Sequence, residues 1–265
     1  TWVRENSVLE LDLNSVISDR SPKFNQLKSF SDFGTVIAGM DKILGSINKA
    51  KEDDKIKGIK LRSGLISSGW AQAREIRKAL AEFKTSGKFI YAYSDFMSQK
   101  GYYVSSVADS IFMNPLGVME LKGLSSEVLY YEDFQNQYGV KMEVIRHGKY
   151  KSAVEPYLQD QMSLENRTQI QGLLNAVWGT LRDEVSESRG LASNTIDALA
   201  DDLVITDAGE ALAQGLIDGL IYEKGFENKI KAALEIDAAE EYKVMSFNKI
   251  NVRIKEYNKE ITDRI

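Results

Sequence analysis

Between Ser7 and Met113, short apolar runs alternate with segments whose apolar residues recur at helical spacing, and this alternation restricts the fold more than any other feature. Ser7 to Leu13 carries Val8, Leu9, Leu11 and Leu13 and reads as a strand. Val36, Ile37, Met40, Ile43, Leu44 and Ile47 fall on one face of a helix over roughly 35–51. Ile56 to Leu61 and Phe89 to Tyr93 read as strands, separated by a helix over about 70–84 that places Ala73, Ile76, Leu80 and Phe83 together. A helix over about 99–108 and a strand from Ser110 to Met113 continue the pattern. Such alternation predicts an α/β fold with mostly parallel pairing and right-handed crossovers.

The later chain is less regular. Ser18 to Ser31 is polar, holds Pro22 and reads as a loop. Asn114-Pro115-Leu116-Gly117 predicts a turn, because Pro fixes φ and Gly tolerates positive φ. Val118 to Val128 reads as extended or irregular, Tyr131 to Tyr138 as a helix and Met142 to Arg146 as a strand. The longest helix is expected over about 163–188, with Asn166 where a capping box started by Ser163 would carry Glu or Gln. A last helix comes after Gly225 and ends near Leu234. We expect one domain over 1–240, its C-terminal part helical. The charged residues 241–265 read as a linker toward a further domain outside this chain. The start at Thr1-Trp2-Val3, without Met, leads us to expect an upstream signal or anchor.

Composition excludes several classes. Lys and Arg number 34 against 39 Asp and Glu, a formal charge of −5, so no basic surface for nucleic acid is expected. There is no cysteine, hence no disulfide, thiolate metal site or cysteine nucleophile. His147 is the single histidine, and one histidine cannot build a His-rich zinc site. No apolar run approaches the ~18 residues of a membrane span. Neither a P-loop nor a dinucleotide fingerprint is present, and no cofactor or metal is expected.

The segment Lys149-Tyr150-Lys151-Ser152-Ala153-Val154-Glu155-Pro156-Tyr157 comes after the strand expected to end at Arg146, a place where α/β folds often carry catalytic groups. A lysine is a general base only when neutral, which requires burial or a neighbouring positive charge. A lysine in a loop is ordinarily a solvated charge, and the residues themselves do not separate Lys151 from Lys149. His147, four residues before Lys151, is a base or a cationic neighbour on one reading and an ordinary exposed histidine on the other. Ser152 points away from Lys151 if the segment is extended. Tyr91, Tyr93, Tyr102 and Tyr103 are read as core or interface aromatics, and Glu240-Glu241 as a solvated charge patch.

The run Gly148 to Tyr157 resembles the lysine motif of the signal peptide peptidase A (protease IV) family, in its long, tandem-domain form. Ser98 to Pro115 is similar to that family's serine-site helix and the strand after it, and Gly215-Leu216-Ile217-Asp218 resembles the turn after its late helices. The resemblance spans about Ser7 to Ala233. It implies a crotonase-like (ClpP-like) spiral of βαβ units and a Ser-Lys dyad in which serine attacks the scissile carbonyl and neutral lysine takes its proton. By resemblance Lys151 is that base. The serine position, which in short members precedes Gly-Gly-Tyr-Tyr, holds Gln99 in Gln99-Lys100-Gly101-Tyr102-Tyr103. Ser63-Gly64-Leu65-Ile66 lacks the family's Pro-Gly-Gly oxyanion segment. In the long form the lysine sits in the first half and the serine in the second, so the chain reads as the amino-terminal, lysine-donating half. The resemblance further implies apolar signal peptides as substrate, a membrane anchor outside this chain with the peptidase on the periplasmic face of a bacterial inner membrane, and a homo-oligomer. Two rivals stand beside it: an acyl-CoA enzyme of the crotonase type, which shares the fold, and a non-catalytic assembly domain, which the absent serine favours.

Overall fold

The computed structural model describes residues 3–21, 37–145 and 151–247. These fall into two compact units: the described residues up to Lys122 together with those from Val185 on, and Gly123–Glu184.

The first unit is built on a six-stranded sheet. Its strands are β1 (Ser7–Asp12), β4 (Ile56–Arg62), β5 (Phe89–Met97), β6 (Ser110–Met119), β7 (Gly219–Leu220) and β8 (Lys243–Ser246). They lie in the order β7-β6-β5-β4-β1-β8, and every neighbouring pair is parallel. A small second sheet pairs β2 (Val16–Ser18) with β3 (Ile37–Gly39), also in parallel. The helices of this unit are α1 (Met40–Glu52), α2 (Trp70–Lys84), α3 (Gln99–Ser105), α6 (Ser193–Asp201), α7 (Ala208–Ala213) and α8 (Glu223–Ala233).

Handedness explains the layering. From β1 through β4 and β5 to β6 the chain always steps the same way across the sheet, and right-handed crossovers then place α1, α2 and α3 on one face. The step from β7 to β8 runs back across the sheet, so α8 belongs on the opposite face. Side-chain alternation agrees. Val8, Tyr93 and Phe112 pack with Phe226, Ile230 and Leu234 of and just after α8, while Leu9, Leu11, Ile59, Leu61, Ile90 and Ala92 are buried toward the other face.

The α8 face also buries charge. Lys60 is only 5% exposed. Its ammonium donates to Glu227, with Glu10 at 3.6 Å and Glu223 at 3.9 Å. The Tyr242 hydroxyl donates to the same Glu227 carboxylate, which fastens the chain just before β8 to α8.

Most expected elements form, with four corrections. The helix expected over 35–51 starts at Met40, because Ile37–Gly39 is taken by strand pairing with β2. The Asn114–Gly117 turn is instead an excursion inside β6: Met113 pairs with Ser94 and Val118 with Phe96, so four residues bulge opposite Asp95 alone. Asn114 holds the bulge, its Nδ2 donating to Asp95 at 3.0 Å and its Oδ1 accepting from the Leu116 N–H at 3.0 Å. The strand expected over Met142 to Arg146 does not form over its described part, since 141–145 are irregular, pair with no strand among the described residues, and leave Met142 and Ile145 exposed. Finally, Lys243–Ser246, placed in the expected linker, is an edge strand paired with β1.

The second unit holds α4 (Glu132–Tyr138), a 3-10 helix (Ser152–Tyr157) and α5 (Leu164–Arg189) up to Glu184. No helix of the described residues is long and apolar enough to cross a membrane.

Candidate active site

Lys151 is the residue before the 3-10 helix Ser152–Tyr157, at φ −91° and ψ 72°, and it is exposed. The segment therefore turns helical at Ser152 rather than staying extended, so the alternation expected to aim Ser152 away from Lys151 does not apply. His147, Lys149 and Tyr150 lie outside the described residues.

The segment after Lys151 is held tightly. Glu155 is 1% exposed. Its carboxylate accepts from the Ser163 hydroxyl at 2.6 Å, the Ser163 N–H at 3.4 Å and the Asn166 amide at 3.0 Å. Ser163 Oγ in turn accepts from the Asn166 N–H at 3.1 Å. The start of α5 is thus capped by Ser163, and Glu155 reaches in from the lysine segment to occupy the place a Glu or Gln three residues on would fill. A buried carboxylate demands such donors. On the other side, the Tyr131 N–H donates to the Pro156 carbonyl at 2.7 Å, and the Tyr131 and Tyr157 rings stack with centroids 5.7 Å apart. Gln135 Nε2 donates to the Tyr157 carbonyl at 2.9 Å while its Oε1 accepts from the Met142 N–H at 2.9 Å. The sequence reading missed Glu155 and Gln135; the only available signal was a carboxylate inside the lysine segment, eight residues before a serine at a helix start.

The serine-site position lies in the first unit. Gln99 opens α3 and is buried, and its Oε1 accepts from the Lys122 N–H at 2.8 Å. Ser98 is the cap of that helix: its Oγ accepts from the Gly101 N–H at 3.1 Å and donates to the Gly64 carbonyl at 2.8 Å, and its N–H donates to the same carbonyl at 2.9 Å. The helix start presses so closely on the Ser63-Gly64 backbone that a Cβ at Gly101 would stand 2.0 Å from the Ser63 carbonyl oxygen. The Leu65 N–H is engaged by Asn14 Oδ1 at 2.8 Å. Lys100 donates to the Ser68 carbonyl and lies 5.2 Å from the Trp70 ring centroid; burial lowers its ammonium below the ordinary lysine range. No activated hydroxyl stands where the family pattern puts one. The Tyr102 hydroxyl, pushed up by burial, donates to the Leu216 carbonyl at 3.0 Å. The Gly215–Asp218 turn is thereby joined to α3, and Asp218 also accepts from the Ile111 N–H at 2.7 Å.

The profile of Peptidase family S49 matches residues 82–237, a stretch that includes both α3 and the Lys151 segment. This chain belongs to that family. Protease 4 of Haemophilus influenzae is 33% identical over 198 residues, 72% of this chain and 32% of that protein. Protease 4 of Salmonella typhi is 30% identical over 220 residues, covering 79% and 36%. The chloroplastic serine protease SPPA of Arabidopsis thaliana is 28% identical over 247 residues, covering 93% of this chain and 35% of that protein. The chain spans about a third of the length of these relatives. The signal peptide peptidase A resemblance is thus confirmed at the level of the family, and the sheet is the mixed α/β, parallel kind it implied. Among the described residues no group of three His, Asp or Glu side chains is placed to hold a metal ion.

Proposed function

We propose that this chain is the lysine-donating part of a Ser-Lys serine peptidase, with Lys151 as the general base. The observation that carries the reading is the lysine segment itself, matched within a peptidase family and anchored by the buried Glu155 one turn after Lys151. In this reading a serine from a further part of the protein attacks the scissile carbonyl carbon. Its proton passes to neutral Lys151 Nζ as the new C–O bond forms. The tetrahedral intermediate collapses with loss of the amine, which takes the proton from Lys151, and water then releases the acyl group by the same route. Gln99 supports a nucleophile from elsewhere, because an amide cannot replace an activated hydroxyl and this one is committed to the Lys122 N–H.

The rest of the reading comes from the family resemblance. The first unit is the start of a crotonase-like spiral, substrates are apolar peptides such as cleaved signal peptides, and the complete protein is a homo-oligomer anchored at the periplasmic face of a bacterial inner membrane. An acyl-CoA enzyme is disfavoured by the match to a peptidase family. A non-catalytic assembly role for this part alone is the second reading, favoured by Gln99 in the serine position.

The test compares Lys151→Ala and Lys149→Ala in the complete protein with a fluorogenic apolar peptide, circular dichroism checking the fold. We expect Lys151→Ala to abolish hydrolysis and Lys149→Ala to keep most of it. The reverse pattern moves the base by two residues, and two active variants sink the Ser-Lys reading.

A further inference from the structure

Lys151 is the cap residue of the 3-10 helix Ser152–Tyr157, and Lys151, this helix and α4 all lie within the second unit, Gly123–Glu184. The helix is held at two points. Near its middle, Glu155 is fastened to the start of α5 through Ser163 and Asn166. At its end, α4 takes over. Gln135, buried in α4, donates from Nε2 to the Tyr157 carbonyl at 2.9 Å and to the Tyr131 carbonyl at 3.2 Å. Its Oε1 accepts from the N–H of Met142, which precedes Lys151 in the chain, at 2.9 Å. The Tyr131 N–H donates to the neighbouring Pro156 carbonyl at 2.7 Å. Gln135 must therefore give a donor and an acceptor at once, which an amide supplies, whereas a carboxylate lacks the donor.

We infer that Gln135 is a positioning residue for Lys151, setting the angle of the 3-10 helix that begins at this lysine. The inference rests on the proposed role of Lys151. The helix acts as a lever with Glu155 as its pivot. A 3-10 helix rises about 2 Å per residue, which puts Lys151 about 8 Å from the pivot on one side and Tyr157 about 4 Å from it on the other. A tilt of about 7° moves the Tyr157 end by about 0.5 Å and the Lys151 end by about 1 Å. The bond from Gln135 to the Tyr157 carbonyl opposes that tilt. A base misplaced by about 1 Å loses up to about a hundredfold in rate, and the loss belongs in kcat rather than in KM. Met142 and Tyr157 are 45% and 39% exposed, so water can replace Gln135 at their backbone groups and the fold should survive its substitution.

The experiment uses the complete protein and a fluorogenic apolar peptide at about pH 9, where an introduced carboxyl is ionised. Gln135→Met removes the amide's donor and its acceptor oxygen. Gln135→Glu keeps the acceptor for Met142 and removes the donor to Tyr157. Hydrogen exchange at the Met142 amide is read beside kcat, KM and the melting temperature. We expect kcat about tenfold or more lower in both variants, with KM and melting unchanged, and faster Met142 exchange in Gln135→Met alone. Full kcat in either variant overturns the positioning role. Unchanged Met142 exchange in Gln135→Met overturns the bonding on which it rests. A kcat loss that tracks a lowered melting temperature, or that comes with a raised KM, makes Gln135 a structural residue and overturns the inference too. Should Gln135→Met not fold, Gln135→Glu decides alone. Lys151→Ala is the control for the underlying reading. If it stays active, Lys151 is not the base; if it is dead while the Gln135 variants keep full kcat, only the positioning role falls.

Discussion

The Glu155 carboxylate accepts the Ser163 hydroxyl at 2.6 Å, and this bond joins the segment after Lys151 to the first turn of α5. The serine is a cap to its own helix and a donor to Glu155 at once, so the start of α5 and the 3-10 helix after Lys151 share one contact. Glu155→Ala leaves the Ser163 hydroxyl and the Asn166 amide without their acceptor. Asn166 is buried, and a buried donor so stranded costs about 1–3 kcal/mol. A urea titration should show a loss of at least that size, and activity of the complete protein should fall with it. A variant as stable as wild type would mean the carboxylate does not hold the segment.

Two glycine-to-alanine substitutions should move stability in opposite directions. At Gly101 the new methyl meets the Ser63 and Gly64 carbonyl oxygens at 2.0 and 2.6 Å, backbone atoms that cannot step aside. We expect a loss of about 1–3 kcal/mol or more. Gly179, inside α5, has nothing within 4 Å of a Cβ. Alanine there should stabilise by about 0.5–1 kcal/mol through the unfolded chain's entropy. Thermal melts of the pair check both signs, and a neutral Gly101→Ala would remove the close approach of α3 to the strand exit.

Acid sensitivity should involve Glu227. Burial works against its charge, but hydrogen bonds from Lys60 and Tyr242 and the fields of Lys60 and Arg62 outweigh it, so the carboxyl is held below its ordinary range. A carboxylate depressed in the folded state stabilises above its unfolded pKa, and that contribution is lost as pH falls through the lower folded value. Glu227→Gln should therefore melt lower than wild type near neutrality, by roughly 2–4 °C per kcal/mol lost. The gap should close as the pH drops below about 4. A gap independent of pH would assign the effect to packing of α8.

The chain on its own should take no label from a serine-reactive fluorophosphonate, because Gln99 occupies the serine position and its amide is already bonded. Stoichiometric labelling of the purified chain, located by mass spectrometry, would place a nucleophile within it and contradict the proposed division of the dyad.

The strand and helix order of the first unit was legible from periodicity, since Leu9, Leu11 and Leu13, or Ile76, Leu80 and Phe83, declare a shared buried face within a few residues of one another. The family was legible too, because its motifs are local strings. Misplaced elements were those whose state depends on a distant partner. Lys243–Ser246 is a strand only because the edge of β1 is open to it, whereas 141–145 pair with no strand among the described residues. Asn114–Gly117 has the residues of a turn, yet the strands on both sides of it continue the same ladder with β5.

By itself the sequence determined the α/β alternation of the first unit and the membership of the peptidase family. Tertiary structure alone decided that Glu155 ties Lys151's segment to Ser163 and Asn166, that Lys60 is a buried charge among glutamates, and that Gln99 holds the Lys122 N–H. The physical reason is range. Apolar periodicity records which side of an element avoids water, and neighbours along the chain suffice to read it. A hydrogen bond to a buried polar group is set instead by which donor arrives within about 3 Å, and that donor comes from wherever the fold has carried another part of the chain.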